Sequence, residues 1–300
     1  MHKALLLFCL GISSLTPLFS QDTTLEQIIS PKEKIQLISQ QFSFAEGPAT
    51  DAKGNIYFTD QPNNQIWKYN TNGKLSLFMD SAGRANGLYF DRKGNIIACA
   101  DEHDELWRIN TSTKKVQALL SFFNGKKLNG PNDLWVDKKG GIYFTDPYYQ
   151  RDYWARKHPD IEKQNVYYLP KEAQQPVIVD SNILKPNGVA GSKDGKTLFV
   201  ADIQGNKTYR YHIGKNGTLT NKELFIAQGA DGITLDNHGN IYLCGKGVTI
   251  YNTHGEKTGH IDIPEEWTSN ICFGGKGKHT LFITAGKSVY LLQTKVRGIE

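Results

Sequence analysis

One pattern recurs six times along the 300-residue chain: a short apolar run, a polar turn bearing glycine, and a second apolar run. The copies read EGPATDAKGNIYFTD (46–60), NGLYFDRKGNIIACA (86–100), NDLWVDKKGGIYFTD (132–146), NGVAGSKDGKTLFVAD (187–202), DGITLDNHGNIYLCG (231–245) and NICFGGKGKHTLFITA (270–285). Their starts lie 40, 46, 55, 44 and 39 residues apart. Each copy is a hairpin signature. Most are followed by a third strand-like run, as in QIWKYN, ELWRIN, NVYYLP and KTYRYH, and by a fourth, as in KLSLFM, KVQALL, PVIVD and ELFIA. Four strands at a period of about 40–45 residues make one blade of a β-propeller. The chain is therefore expected to be all-β, a single six-bladed propeller with four antiparallel strands per blade over residues 35–297. IQLISQ (35–40) precedes the first copy, and SVYLLQ (288–293) nearly exhausts the chain. The N-terminal strand is thus expected to complete the last blade and close the ring. Two stacked three-bladed domains would need a linker, and no segment reads as one.

Composition agrees. With 29 Gly, 14 Tyr, 14 Phe, 5 Trp and 2 Met, the chain favours short strands and tight turns. The net charge of +5 comes without a basic run, so no nucleic-acid partner is expected. Past the leader no 18-residue apolar stretch occurs, so no membrane span is expected. Residues 1–20 combine Lys3, a short apolar run over 4–12 and a Ser/Pro-containing end, the form of a secretory signal. Residues 21–34 are a lead-in, and the protein is expected to be exported, periplasmic or secreted. Outside the leader, Cys99, Cys244 and Cys272 are odd in number and show no C-x-x-C spacing. They read as buried thiols rather than a disulfide framework or a zinc site.

In a propeller the first strand of each blade lines the central channel, so the six copy starts ring one mouth. Those residues are Glu46, Asn86, Asn132, Asn187, Asp231 and Asn270, and every one carries a side-chain oxygen. Oxygen donors converging from separate elements suit a hard divalent cation better than copper or zinc. The plainer reading is that Asn-Gly and Asp-Gly are turn dipeptides. Each copy, however, already has its own turn between its two strands. Loops leaving the second strands overhang the same mouth. One, ADEHDE (100–105), contains His103. The other, residues 147–165, is the longest insertion and carries Tyr148, Tyr149, Arg151, Tyr153, Trp154 and Arg156. Aromatics with arginines over a polar site suit a sugar ring or a carboxylate; equally, they suit an ordinary loop packed on a blade edge. Asp51, Asp91, Asp137 and Asp236 repeat in the hairpin turns and read as structural, while Asp60 and Asp146 at second-strand ends are candidate braces of the ring. There is no G-x-S-x-G elbow, P-loop or H-E-x-x-H.

FAEGPATD around Glu46, LNGPNDLWVD around Asn132, LKPNGVA around Asn187, GADGITLD around Asp231 and TSNICFGG around Asn270 together resemble the gluconolactonase, regucalcin and luciferin-regenerating-enzyme family over roughly residues 40–297. The resemblance implies a six-bladed propeller with one divalent cation in its channel, Ca2+ being the expected ion and Zn2+, Mg2+ and Mn2+ the alternatives. It implies hydrolysis of a sugar lactone, or binding of a related sugar acid. It makes Glu46, Asn187 and Asp231 the metal ligands, Asp231 also the general base, and Asn132 the pocket asparagine, followed by Asp133. Asp133, His103, Arg151 and Trp154 complete the expected substrate contacts. One departure concerns the substrate: some animal members have an arginine two residues before the pocket asparagine, where this chain has Gly130. A binding propeller that holds a ligand over a structural cation, without catalysis, is the alternative.

Overall fold

The computed structural model describes residues 24–299, so the proposed leader lies outside the described residues. The chain forms six four-stranded antiparallel sheets, each a blade. Five blades use strands consecutive in sequence. The sixth joins Asn270–Gly274, Thr280–Ala285 and Ser288–Gln293 to an outermost strand from the other end of the chain, Gln36–Ser39. The ring is therefore closed by the N-terminal strand. Blade five completes its sheet with Gly247–Tyr251 and the polar run Lys257–Ile261.

The innermost strands, Ala45–Thr50, Ala85–Phe90, Leu134–Val136, Pro186–Gly191, Ile233–Leu235 and Asn270–Gly274, are buried over most or all of their length. Outer strands such as Val116–Leu120 are exposed over most of their length. The core is divided among six apolar clusters, most of them packed between neighbouring blades. Tyr57 and Ile66 of blade one meet Ile96 and Trp107 of blade two in one; Phe58 meets Phe282 and Leu291 across the closure in another. The lead-in is also used: a one-turn helix, Leu25–Ile28, buries Ile28 completely among residues of blades five and six. Among the described residues no helix is long and apolar enough to cross a membrane.

The repeated turn aspartates are structural, as expected. Asp51 Oδ1 accepts the N–H groups of Lys53 and Asn55, and its Oδ2 accepts the Asn55 side chain; Asp91 and Asp236 repeat the arrangement. Such Asx turns fix a hairpin locally. The second-strand aspartates act at the other end. Asp60 accepts the N–H groups of Ser43 and Phe44, Asp146 those of Asn129 and Gly130, and Asp202 those of Leu184 and Lys185. Each thereby holds the segment that enters its blade's innermost strand. The adjacent threonines link blades: Thr59 donates to the Asn86 carbonyl and Thr145 to that of Asn187. Cys99, Cys244 and Cys272 are buried thiols.

Candidate active site

All six expected ring residues lie buried at the starts of the innermost strands; the most exposed, Asp231, keeps 8 % of its surface. Their crowding is set by glycines. A Cβ on Gly47 would lie 2.0 Å from the Asn86 carbonyl, one on Gly188 2.2 Å from the Asp231 carbonyl, and one on Gly232 2.1 Å from Asn270 Oδ1. A Cβ on Gly87 would lie 2.7 Å from the Asn132 carbonyl. The glycine after a ring residue is therefore no turn signal; it lets the next blade's ring residue approach. Gly47 also takes φ +46°, a conformation that costs glycine little.

Glu46 Oε2 accepts the Gly47 N–H at 2.6 Å and the Asn270 side-chain amide at 3.1 Å. Asp231 Oδ2 accepts the indole N–H of Trp267 at 2.6 Å. The Asn187 amide nitrogen donates to the Tyr149 hydroxyl at 3.2 Å, and the same side chain hydrogen-bonds Asp231. Burial pushes the Glu46 carboxyl well above the usual range, and the nearby charges of Asp231 and Asp133 add to it; the Gly47 N–H and Asn270 oppose it. Burial likewise pushes Asp231 up to about 6, against Trp267, Asn187 and the Arg151 charge. Among the described residues neither carboxylate has a Lys, Arg or His nitrogen within 4.0 Å.

Two buried acids that resist ionisation side by side, ringed by amide oxygens, fit a hard divalent cation, whose charge would relieve both. Glu46, Asn187 and Asp231 are the residues that would hold it. No group of three or more His, Cys, Asp or Glu gathers anywhere among the described residues, so such a site must draw on amide oxygen. Asn187 suits this, since its nitrogen is engaged by its neighbours. Asn132 is buried, and its main chain is tied to Thr145 and Gly87.

The remaining expected contacts separate. Arg151 belongs to the site: its guanidinium reaches Asp101 at 2.9 Å, lies over the Tyr149 ring and acts on Asp231. Asp133 is turned to architecture, accepting the N–H groups of Leu134 and Val189 and so sewing blade three to blade four. Trp154 is buried in the lid's own packing, with its indole N–H on the Asp101 carbonyl and the Arg156 guanidinium 4.0 Å from its ring. His103 is half exposed, stacked on Trp107 beside Glu102. Sequence reasoning had no place for Trp267 in the site, and it named Tyr149 only as a lid aromatic. It also read ADEHDE for its histidine, whereas the carboxylates of that loop matter more. Asp101 binds Arg151, Tyr153 and Gln61, and Asp104 binds Arg156 and Lys127, which pins the lid over the mouth.

Residues 44–287 match the SMP-30/Gluconolactonase/LRE-like region. The chain belongs to that family. A gluconolactonase from Zymomonas mobilis is 29 % identical over 306 aligned positions, covering 91 % of this chain and 85 % of the relative. The solved gluconolactonase XC5397 of Xanthomonas campestris superposes with a TM-score of 0.83 at 25 % identity, covering 90 % of this chain and 92 % of that one. Regucalcin from Agrobacterium tumefaciens, a calcium-binding protein, shares the fold with a TM-score of 0.75 at 19 % identity, covering 89 % and 95 %. Membership in this family, the relatives' alignment across nearly the whole propeller and the six-bladed ring all agree.

Proposed function

We propose that this protein is a lactonase of the gluconolactonase type, which opens a sugar lactone in a reaction dependent on a divalent cation. The observation that carries the reading is the buried pair Glu46 and Asp231, flanked by Asn187 and left without a cationic side chain, in a family whose members are named as lactonases. A divalent cation bound in such a site supplies Lewis acidity toward the lactone carbonyl, and the oxygen-only donor set favours Ca2+.

The chain's own residues supply the rest. Asp231 takes the proton of the attacking water, and Trp267 holds that carboxylate in one orientation. The water oxygen bonds to the carbonyl carbon, the bond from that carbon to the ring oxygen breaks, and the ring oxygen leaves as a hydroxyl by taking the proton that Asp231 removed from the water. The product is a hydroxy acid. Asn132 orients the substrate or the water. Asn270 and the Gly47 N–H fix Glu46, and Asp101 and Asp104 hold the lid over the mouth. No covalent intermediate is required. We also place the protein outside the cytoplasm, on the signal-like residues 1–20; N-terminal sequencing of the mature protein tests this.

The test of the function is a panel of sugar lactones assayed as purified, after chelation and after add-back of Ca2+, Mg2+, Mn2+ and Zn2+. Hydrolysis lost with chelator and restored by a cation is expected. Ligand binding without hydrolysis of any lactone would instead make this a binding propeller.

A further inference from the structure

Four cationic side chains stand around the lid's aromatics, and three are matched by a carboxylate. Arg84, over the Tyr153 ring, pairs with Glu102; Arg151 pairs with Asp101; Arg156 pairs with Asp104. Lys185 differs. Its ammonium lies 4.3 Å from the centre of the Tyr149 ring, and among the described residues no carboxylate lies within 4.0 Å of it. Lys185 immediately precedes Pro186 and Asn187, and its main-chain N–H is clamped by Asp202. Its stem is therefore anchored at the channel mouth.

Tyr149 is the second half of the feature. Its hydroxyl oxygen accepts from the Asn187 amide, which leaves its own proton without a protein acceptor among the described residues. The phenol is part buried. A phenol and an ammonium thus stand together at the mouth, each a donor and neither satisfied by an acceptor among the described residues. What satisfies both is a group rich in acceptor oxygens and negative in charge.

We propose that Tyr149 and Lys185 form a subsite for an anionic group carried by the substrate, a carboxylate or a phosphate remote from the lactone carbonyl. The inference rests on the lactonase reading and deepens it, since it makes acidic sugar lactones the preferred substrates.

The test compares kcat/KM for glucono-1,5-lactone, which is neutral, with that for its 6-phosphate and for a glucaric acid lactone bearing a free carboxylate. In the wild type the acidic lactones are expected to react about tenfold faster in kcat/KM, mainly through KM, with the advantage shrinking as salt rises. Lys185→Gln should lower the acidic-to-neutral ratio about tenfold, and Lys185→Arg should retain most of it. Tyr149→Phe should lower the ratio by a smaller factor. The phosphate and carboxylate arms tell which anion fits. An unchanged ratio in Lys185→Gln, or no preference in the wild type, would overturn the subsite. Calorimetric binding of glucarate and 6-phosphogluconate to the same variants separates the two claims. Lys185-dependent binding in a protein that hydrolyses no lactone would sink the lactonase reading and keep the subsite. Hydrolysis with no Lys185 dependence would do the reverse.

Discussion

Glu46 and Asp231 are expensive residues to keep where they are. Burial pushes Asp231 up to about 6 and Glu46 well above the usual range, so below about pH 6 protons compete with any cation for the pair. Cation affinity should therefore rise with pH through about 6, with protons released on binding; calorimetry in two buffers of different ionisation enthalpy measures both. An affinity that is flat from pH 5 to 7 would contradict the assignment. The ion-free protein should show the opposite trend in stability. Carboxyls raised in the folded state bind more protons there than when unfolded, so this contribution is lost as pH rises from about 4 through 6. Gly232 makes a steric prediction at the same scale. Gly232→Ala forces a methyl against Asn270 Oδ1, displaces the side chain that holds Glu46, and should weaken cation binding at least tenfold, as titration would show. The sequence made the oxygens of this ring visible, because identical positions recur in every repeat. It hid the reason for the glycines, since a close approach between blades leaves the same Asn-Gly or Asp-Gly signature as a turn.

The lid is the element that sequence reasoning placed best and understood least. Its length and its aromatics were plain from the 55-residue spacing. Its anchors were not, because Asp101 and Asp104 belong to another blade and reach it only through the fold. Arg151, Tyr153 and Gln61 converge on the Asp101 carboxylate, and the Trp154 indole meets its carbonyl. Asp101→Asn removes charge-assisted hydrogen bonds of roughly 1.5–3 kcal/mol and should loosen the lid. The expected outcome is faster hydrogen exchange over residues 148–163 and a KM raised severalfold, with cation affinity within a factor of two of the wild type. Loss of cation affinity in this variant would mean that the lid supplies a ligand. The same loop of blade two meets Trp154, whose indole N–H reaches the Asp101 carbonyl, while His103 stays half exposed and stacks on Trp107 of its own blade.

At the scale of the whole molecule, the propeller was legible because its unit repeats and its hairpins declare themselves by alternation and by Asx turns. Blade five was the faintest, with outer strands as polar as KTGHI, and the lead-in helix was not foreseen, since four residues carry too little periodicity. That helix nevertheless helps fasten the closed ring. Ile28→Ala should cost about 2–5 kcal/mol and lower the Tm by several degrees, as a fully buried aliphatic truncation does; a Tm unchanged by calorimetry would show that the lead-in is dispensable. Closure matters to function because the Asn270–Glu46 bond spans the joint between the last blade and the first. The central claim joins all three scales: Asp231 is both ligand and base, whereas Glu46 is a ligand only. The most direct test measures the lactone hydrolysis rate against cation concentration for Asp231→Asn and Glu46→Gln. Saturating cation should restore much of the activity of Glu46→Gln and leave Asp231→Asn about 10²–10⁴-fold below wild type. Rescue of Asp231→Asn to near the wild-type rate would contradict the account and move the base to another residue.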